Sequence, residues 1–183
     1  MRASFALVEY QVLALDSTGL ASFLSEPVRV VPPAAEWTVK PAGVLERTYA
    51  GYTGGGYLRL EVARNTTVRL PVRVSAAGTY AVDARYANGN GPVNTDDKVA
   101  VRTLVVDGDT AGVLVMPHRG VNAWTDWGWT NAVQVPLTAG EHVLTIVYTP
   151  LDENMNRRVN TALLDHLRVT RLAKDAAPPT GTH

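Results

Sequence analysis

Three of the four tryptophans in this chain lie within six residues, in the segment NAWTDWGWTN from Asn122 to Asn131. An exposed indole offers a flat apolar surface on which a sugar ring can stack while nearby polar groups bind its hydroxyls. A buried indole instead fills a hydrophobic core. Trp124, Trp127 and Trp129 are therefore candidates either for a binding surface or for the core.

Patterns typical of catalysis are weak in this sequence. The acidic pairs Asp96/Asp97 and Asp152/Glu153 are adjacent residues in turn-like segments, whereas a glycosidase needs two carboxylates about 5–9.5 Å apart across a cleft. Three scattered histidines lack the spacing of metal ligands: His118, His142 and His166. The absence of a Gly-x-Ser-x-Gly segment and of cysteine removes two further nucleophile patterns. We expect no enzyme activity.

Composition excludes two classes of partner. The 183 residues include 17 basic and 17 acidic side chains, so there is no basic excess for binding nucleic acid. No apolar run approaches the ~20 residues that a membrane span needs. Glu9 interrupts the first apolar stretch, and we therefore expect no signal peptide in this chain.

Strand patterns dominate the sequence. The segments 67–74 (TVRLPVRV) and 79–87 (TYAVDARYA) alternate apolar and polar residues with a period of two, which indicates one packed face and one solvated face. Clusters such as SAAG, NGNGP and TAGE mark turns between such segments. No long stretch has helical periodicity, and the pattern predicts an all-β sandwich.

The same alternation assigns a direction to the tryptophans. In DWGWTNAVQVPL, both Trp127 and Trp129 have the parity of Val133 and Val135, which predicts that both indoles point into the core. Trp124 has the opposite parity and lies in the loop before the strand, so we expect it to be a ligand platform. The alternative is that Trp124 pins its loop to the end of the sandwich.

The two ends of the chain differ from its centre. Residues 1–31 read as a β-hairpin that resembles the last two strands of a fibronectin type III domain, with the pattern Tyr-x-Val-x-Ala-x-Asp-x-x-Gly. Some thirty residues are too few to form that domain alone. The tail 173–183 is polar and rich in proline, and we expect it to be disordered.

The central region resembles the carbohydrate-binding modules of families 35 and 6. Six segments carry the likeness in order: GYTGGGYL, AGTYAVDARYANGNG, LVVDG, AWTDWGW, LTAGEHVLTIVY and LLDHLRV. The resemblance implies a jelly-roll β-sandwich of two antiparallel sheets over residues 32–172. It also implies a sugar-stacking tryptophan in a loop, followed three residues later by a core tryptophan.

Ligand-binding positions of these families carry over unevenly. The glycine-rich turn supplies Tyr52, with Tyr57 as the alternative, and the loop after RYANG supplies Asn88 and Asn90. The families' late Asn-x-Asp pattern has Leu163 in place of its asparagine. Residues in the preceding loop could replace that contact: Asn160, or Asn154 and Asn156.

The families also hold a structural calcium ion, bound by a Glu-x-Glu pair and a late aspartate. Here the pair begins with Ala34, so the remaining candidate ligands are Glu36 and Asp165. Backbone carbonyls and water could complete the ~6–8 oxygen ligands of calcium. The alternative is that Glu36 and Asp165 only cap strand ends.

The resemblance implies a non-catalytic carbohydrate-binding module, the C-terminal accessory domain of a bacterial glycoside hydrolase, secreted or periplasmic as part of a larger protein. Its partners would be a polysaccharide or oligosaccharide and an adjacent catalytic domain. The alternatives are a domain that braces a catalytic domain without binding sugar and, behind it, a small jelly-roll glycosidase. We place the ligand at the loop end because the sheet faces carry arginines and no aromatic platform: Arg59, Arg69, Arg73 and Arg85.

Overall fold

The computed structural model describes residues 8–10, 28–30, 36–39, 41, 43–91, 99–153 and 160–172. The chain divides into two units, residues 1–34 with 173–183, and residues 35–172. In the first unit, β1 (Val8–Tyr10) pairs with β2 (Val28–Val30) in antiparallel orientation. The predicted turn of this hairpin, its likeness to a fibronectin type III domain and the predicted disorder of residues 173–183 concern segments outside the described residues.

Two antiparallel sheets form the second unit. The six-stranded sheet contains β3 (Glu36–Val39), β4 (Leu58–Leu60), β6 (Gly78–Ala87), β9 (Gly128–Trp129), β10 (Val133–Leu137) and β12 (Ala162–Arg171). The four-stranded sheet contains β5 (Thr67–Val74), β7 (Ala100–Val106), β8 (Asp109–Met116) and β11 (Gly140–Val147). The chain passes repeatedly from one sheet to the other, and the predicted β-sandwich is confirmed. The described residues also contain one 3₁₀ turn, η1 (Pro150–Asp152). Among them, no helix is long and apolar enough to cross a membrane.

Alternating side chains of both sheets fill the core. In β5 the apolar residues predicted to share one face are all buried: Val68, Leu70, Val72 and Val74. The corresponding residues of β6 are also buried, and they pack in the same cluster: Tyr80, Val82, Ala84 and Tyr86. Because side chains alternate along a strand, the intervening residues of β6 lie on the outer face of the six-stranded sheet.

The outer face of the six-stranded sheet has an irregularity in its middle. Leu163 of β12 lies opposite Ala87 of β6, but His166 lies opposite Arg85 because the register shifts between Leu164 and His166. Asp165 is the extra residue of this bulge. A bulge re-aims side chains and is often found beside functional sites, and here it brings both Asp165 and His166 to the neighbourhood of Arg85.

Candidate functional site

An aromatic cluster covers one end of this outer face. Its buried centre consists of Tyr57, Ala87 and Leu163. Half-buried aromatic side chains pack around that centre: Tyr49, Tyr52, Trp124 and Trp127. We call these seven residues the loop-end cluster. The start of β4, the end of β6 and the start of β12 position its centre, so the loops between strands supply the aromatic rim.

Trp124 is held between two loops. A Cβ atom on Gly89 would lie 2.8 Å from three ring atoms of the indole, so only glycine allows the backbone to approach the ring this closely. The Tyr49 ring stacks on Trp124 with 5.7 Å between ring centroids and an interplanar angle of 23°. The Trp124 side chain remains half-buried, so part of the indole is available to a ligand.

Trp127 and Trp129 do not enter the core, contrary to the prediction. Trp129 lies opposite Arg85 of β6, but Val133 lies opposite Val82, so the pairing shifts by one residue between them. A shift of one residue reverses which face alternate side chains occupy. Trp127 is consequently half-buried on the outer side, and Trp129 is 39% exposed.

Each tryptophan of the segment is paired with an arginine from a different strand. The guanidinium carbons of Arg59, Arg85 and Arg168 lie 5.6, 5.3 and 3.8 Å from the ring centroids of Trp124, Trp127 and Trp129, respectively. Each arginine also forms an ion pair, and the carboxylate partners are, in the same order, Glu46, Asp165 and Asp83. The expectation that the sheet face offers no aromatic platform is therefore wrong.

The environment of Arg59, the guanidinium beside Trp124, shifts its pKa. Burial lowers the pKa of its guanidinium, but the hydrogen bond to Glu46 and the charge of that carboxylate outweigh burial, and the pKa is raised. The Nε atom of Arg59 donates to Oε2 of Glu46 at 3.1 Å. The guanidinium beside Trp124 therefore stays charged and shares the Glu46 carboxylate with Arg64.

Three predicted ligand contacts are buried and have structural roles instead. Tyr57 and Asn88 have no exposed surface, and Asn160 is 2% exposed. The amide of Asn88 donates to the Met116 carbonyl at 2.9 Å. The Oδ1 atom of Asn160 accepts from the Val101 backbone at 3.0 Å. These amides hold neighbouring loops in place, and a ligand cannot reach them in this conformation.

Asn90 and Tyr52 remain candidates at the loop end. The Nδ2 atom of Asn90 donates to Oδ1 of Asn88 and to the Thr161 carbonyl, at 2.6 and 2.8 Å. Its Oδ1 atom has no partner among the residues that the structure describes, and the side chain is half-buried. Tyr52 is also half-buried, with its ring edge-on to Tyr57 at 5.7 Å. Asn154 and Asn156 lie outside the described residues.

Comparisons with known proteins show which domains this sandwich resembles. A cycloisomaltooligosaccharide glucanotransferase of Niallia circulans is 28% identical over 137 residues, which are 75% of this chain and 13% of that enzyme. An exo-β-D-glucosaminidase of Amycolatopsis orientalis is 31% identical over 114 residues, which are 62% of this chain and 10% of that enzyme. The chain thus spans about a tenth of these relatives. No family model matches it.

One solved structure matches this chain over almost the whole length of a single module. A family 35 carbohydrate-binding module from an environmental isolate is 27% identical, with a TM-score of 0.55, and the match covers 79% of this chain and 96% of that module. Residues 35–172 form a family 35-like domain.

Leu163 is the position at which this family 35-like domain departs from the families' late Asn-x-Asp pattern. It occupies the position at which we expected an asparagine, and it is fully buried in the loop-end cluster. It contributes no polar group to a ligand. Its side chain instead forms the apolar floor on which the surrounding aromatic rings pack.

The backbone positions of the two predicted calcium ligands, Glu36 and Asp165, are separated along the six-stranded sheet. Glu36 pairs with Thr170, five residues along β12 from Asp165, which corresponds to about 16 Å. Calcium binding by Glu36 and Asp165 stays a prediction. The described residues contain no group of three or more acidic, histidine or cysteine side chains that could hold a metal.

Asp165 is satisfied by protein groups. Its Oδ2 atom accepts from the Thr53 backbone at 3.1 Å and forms an ion pair with Nη1 of Arg85 at 2.6 Å. The carboxylate is fully buried. A guanidinium at this distance already neutralises the carboxylate, so Asp165 supports the sheet face and the glycine-rich turn.

Proposed function

We propose that the family 35-like domain is a non-catalytic carbohydrate-binding module that binds sugar at the loop-end cluster. The observation that carries this proposal is the partly exposed indole of Trp124, held against Gly89 and Tyr49 in a domain of this fold. A pyranose can pack its apolar face against the exposed part of such a ring. Its hydroxyls would then meet the Oδ1 atom of Asn90 and the hydroxyl of Tyr52.

The domain would act as an accessory of a larger enzyme, a secreted or periplasmic glycoside hydrolase. The support is that the chain spans only 13% and 10% of two relatives that act on carbohydrates. A weakly binding module raises the local concentration of substrate around a catalytic domain to which it is linked. The names of these relatives suggest isomaltooligosaccharides and glucosamine polymers as the first ligands to try.

A second candidate function is a bracing domain that binds no sugar. The observations that favour it are the buried Leu163 at the expected asparagine position and the burial of Asn88 and Asn160. Fewer polar groups than expected therefore face a ligand. Of the predicted polar ligand contacts that the structure describes, Asn90 and Tyr52 remain accessible at the loop end.

Affinity electrophoresis in dextran and in chitosan would separate the two functions. The wild-type domain should be retarded in at least one polymer, and Trp124→Ala should migrate as it does without polymer. Val121→Ala is the matched control, because Val121 is 61% exposed three residues before Trp124. Normal migration of the wild type in every polymer would favour the bracing role, and retention of binding by Trp124→Ala would move the site elsewhere.

A further inference from the structure

Trp129 is the exposed member of the tryptophan segment. Its side chain is 39% exposed, although tryptophan is usually largely buried. It lies on the outer face of the six-stranded sheet, beyond the loop-end cluster. Packing in the core does not account for this large apolar side chain at the end of the two-residue strand β9.

The indole of Trp129 is nevertheless firmly held. The guanidinium carbon of Arg168 lies 3.8 Å from its ring centroid, so the guanidinium covers one face of the ring. Two nitrogens of Arg168 donate to the two carboxylate oxygens of Asp83, which fixes the guanidinium plane. The His166 ring meets the indole at 79° with 5.4 Å between centroids. These contacts hold the indole while 39% of the residue stays exposed.

A rigid and exposed aromatic ring suits stacking, because binding then costs little side-chain entropy. We propose that Trp129 is a second stacking platform, which binds a neutral pyranose unit of an oligosaccharide chain on the outer face of the six-stranded sheet. This inference rests on the proposed function. The ligand is neutral because the carboxylate of Asp83 already compensates the charge of Arg168, so the platform has no excess charge that would select an acidic sugar.

The Trp129 platform is continuous with the loop-end cluster. Arg85 lies opposite Trp129 in the strand pairing, and its guanidinium carbon lies 5.3 Å from the ring centroid of Trp127. Trp127 belongs to the loop-end cluster. We therefore expect a sugar chain of several units to extend from the loop-end cluster past Arg85 to Trp129, whereas a single sugar unit occupies only one of the two positions.

Calorimetric titration with isomaltooligosaccharides of increasing length tests the inference. We expect Trp129→Ala to bind the shortest ligand as the wild type does and to bind long ligands roughly tenfold more weakly, a loss of ~1.4 kcal/mol. Trp129→Leu keeps an apolar side chain without a flat ring and should show the same loss. Val113→Ala, which changes a side chain 42% exposed on β8, should bind normally.

Nuclear magnetic resonance supplies a readout that a merely structural role would not move. The indole N–H signal of Trp129 should shift on addition of long ligands and stay in place with the shortest. If both Trp129 variants bind every length normally while Trp124→Ala does not bind, the second platform is wrong and the proposed function stands. If the wild type binds no isomaltooligosaccharide and none of the polymers, both are wrong.

Discussion

The Nδ1 atom of His142 lies 2.6 Å from the Oδ2 atom of Asp107, and its Nε2 atom lies 2.9 Å from the carbonyl oxygen of Thr138. Both ring nitrogens thus face acceptors. A neutral imidazole can donate from only one nitrogen, whereas the protonated ring donates from both. His142 therefore joins the turn after β7 to the turn before β11 most strongly when it is charged.

This arrangement predicts that stability depends on pH. The hydrogen bond to Asp107 and then that to Thr138 raise the pKa of His142 above its ordinary value. A raised pKa in the folded state means that the stabilisation is complete below the unfolded pKa of ~6.5 and is lost as pH rises through the folded value. The melting temperature should fall over that interval in the wild type and stay flatter in His142→Gln. Parallel curves for the two proteins would contradict the assignment.

Asp107 has the opposite dependence. Its hydrogen bond to His142 and that from the Val143 backbone lower the pKa of the carboxyl. The stabilisation is therefore present above the unfolded pKa of ~3.9 and is lost as pH falls through the lower folded value. Asp107→Asn should lessen the loss of stability in acid, measured by urea denaturation between pH 2 and pH 5. If the free energy of unfolding falls equally in both proteins between pH 5 and pH 2, Asp107 contributes little to the pH dependence of stability.

Gly89 should be intolerant of any side chain. A Cβ atom there would lie 2.8 Å from the Trp124 indole, so Gly89→Ala must displace the ring, at a cost of about 1–3 kcal/mol. Sugar binding should weaken with it, as measured by titration. Gly55→Ala is the matched control, because its nearest neighbour would be an ordinary contact with Leu45 at 3.7 Å. Normal stability and binding of Gly89→Ala would contradict this account of Trp124.

The strand pattern of the sandwich could be predicted because its period of two follows directly from burial of one sheet face. The alternation in β5 matches the burial of Val68 and Leu70 residue by residue. The same rule was wrong for Trp129, since the segment between Trp129 and Val133 contains an extra residue in the pairing with β6. Nothing in the local sequence marks a shift of one residue, because register depends on the partner strand.

Which polar side chains are accessible at the loop end could be predicted only in part. Tyr52, Asn90 and Trp124 lie at the expected end of the sandwich with part of each side chain exposed. Asn88 was expected beside them, but its amide is fully buried and bonded to the Met116 carbonyl. Residue type and loop position do not distinguish an asparagine that binds a ligand from one that holds a loop, since both need a turn and hydrogen-bonding groups.

Asp165 should stabilise the domain without a metal. Asp165→Asn removes the buried partner of Arg85 and weakens the bonds to Thr53, which should cost about 2–4 kcal/mol. Thermal unfolding with calcium and with a chelator should give the same loss in both solutions. A wild-type protein that calcium stabilises, paired with a variant that calcium does not, would instead make Asp165 a calcium ligand.

The three tryptophans should differ in their contribution to stability. Trp127 donates its indole N–H to the Ala50 carbonyl at 2.8 Å and packs on Tyr57, so Trp127→Ala should cost about 2–3 kcal/mol, less than truncation of a fully buried tryptophan. Trp124→Ala loses packing on Gly89 and Tyr49 without an indole hydrogen bond to the described residues, and should cost ~1–2 kcal/mol. Trp129→Ala should cost the least, under ~1 kcal/mol, because its indole is the most exposed. Urea denaturation of the three variants measures this order. A loss for Trp129→Ala equal to that for Trp127→Ala would show that its contacts with Arg168 and His166 serve the fold first, and binding second.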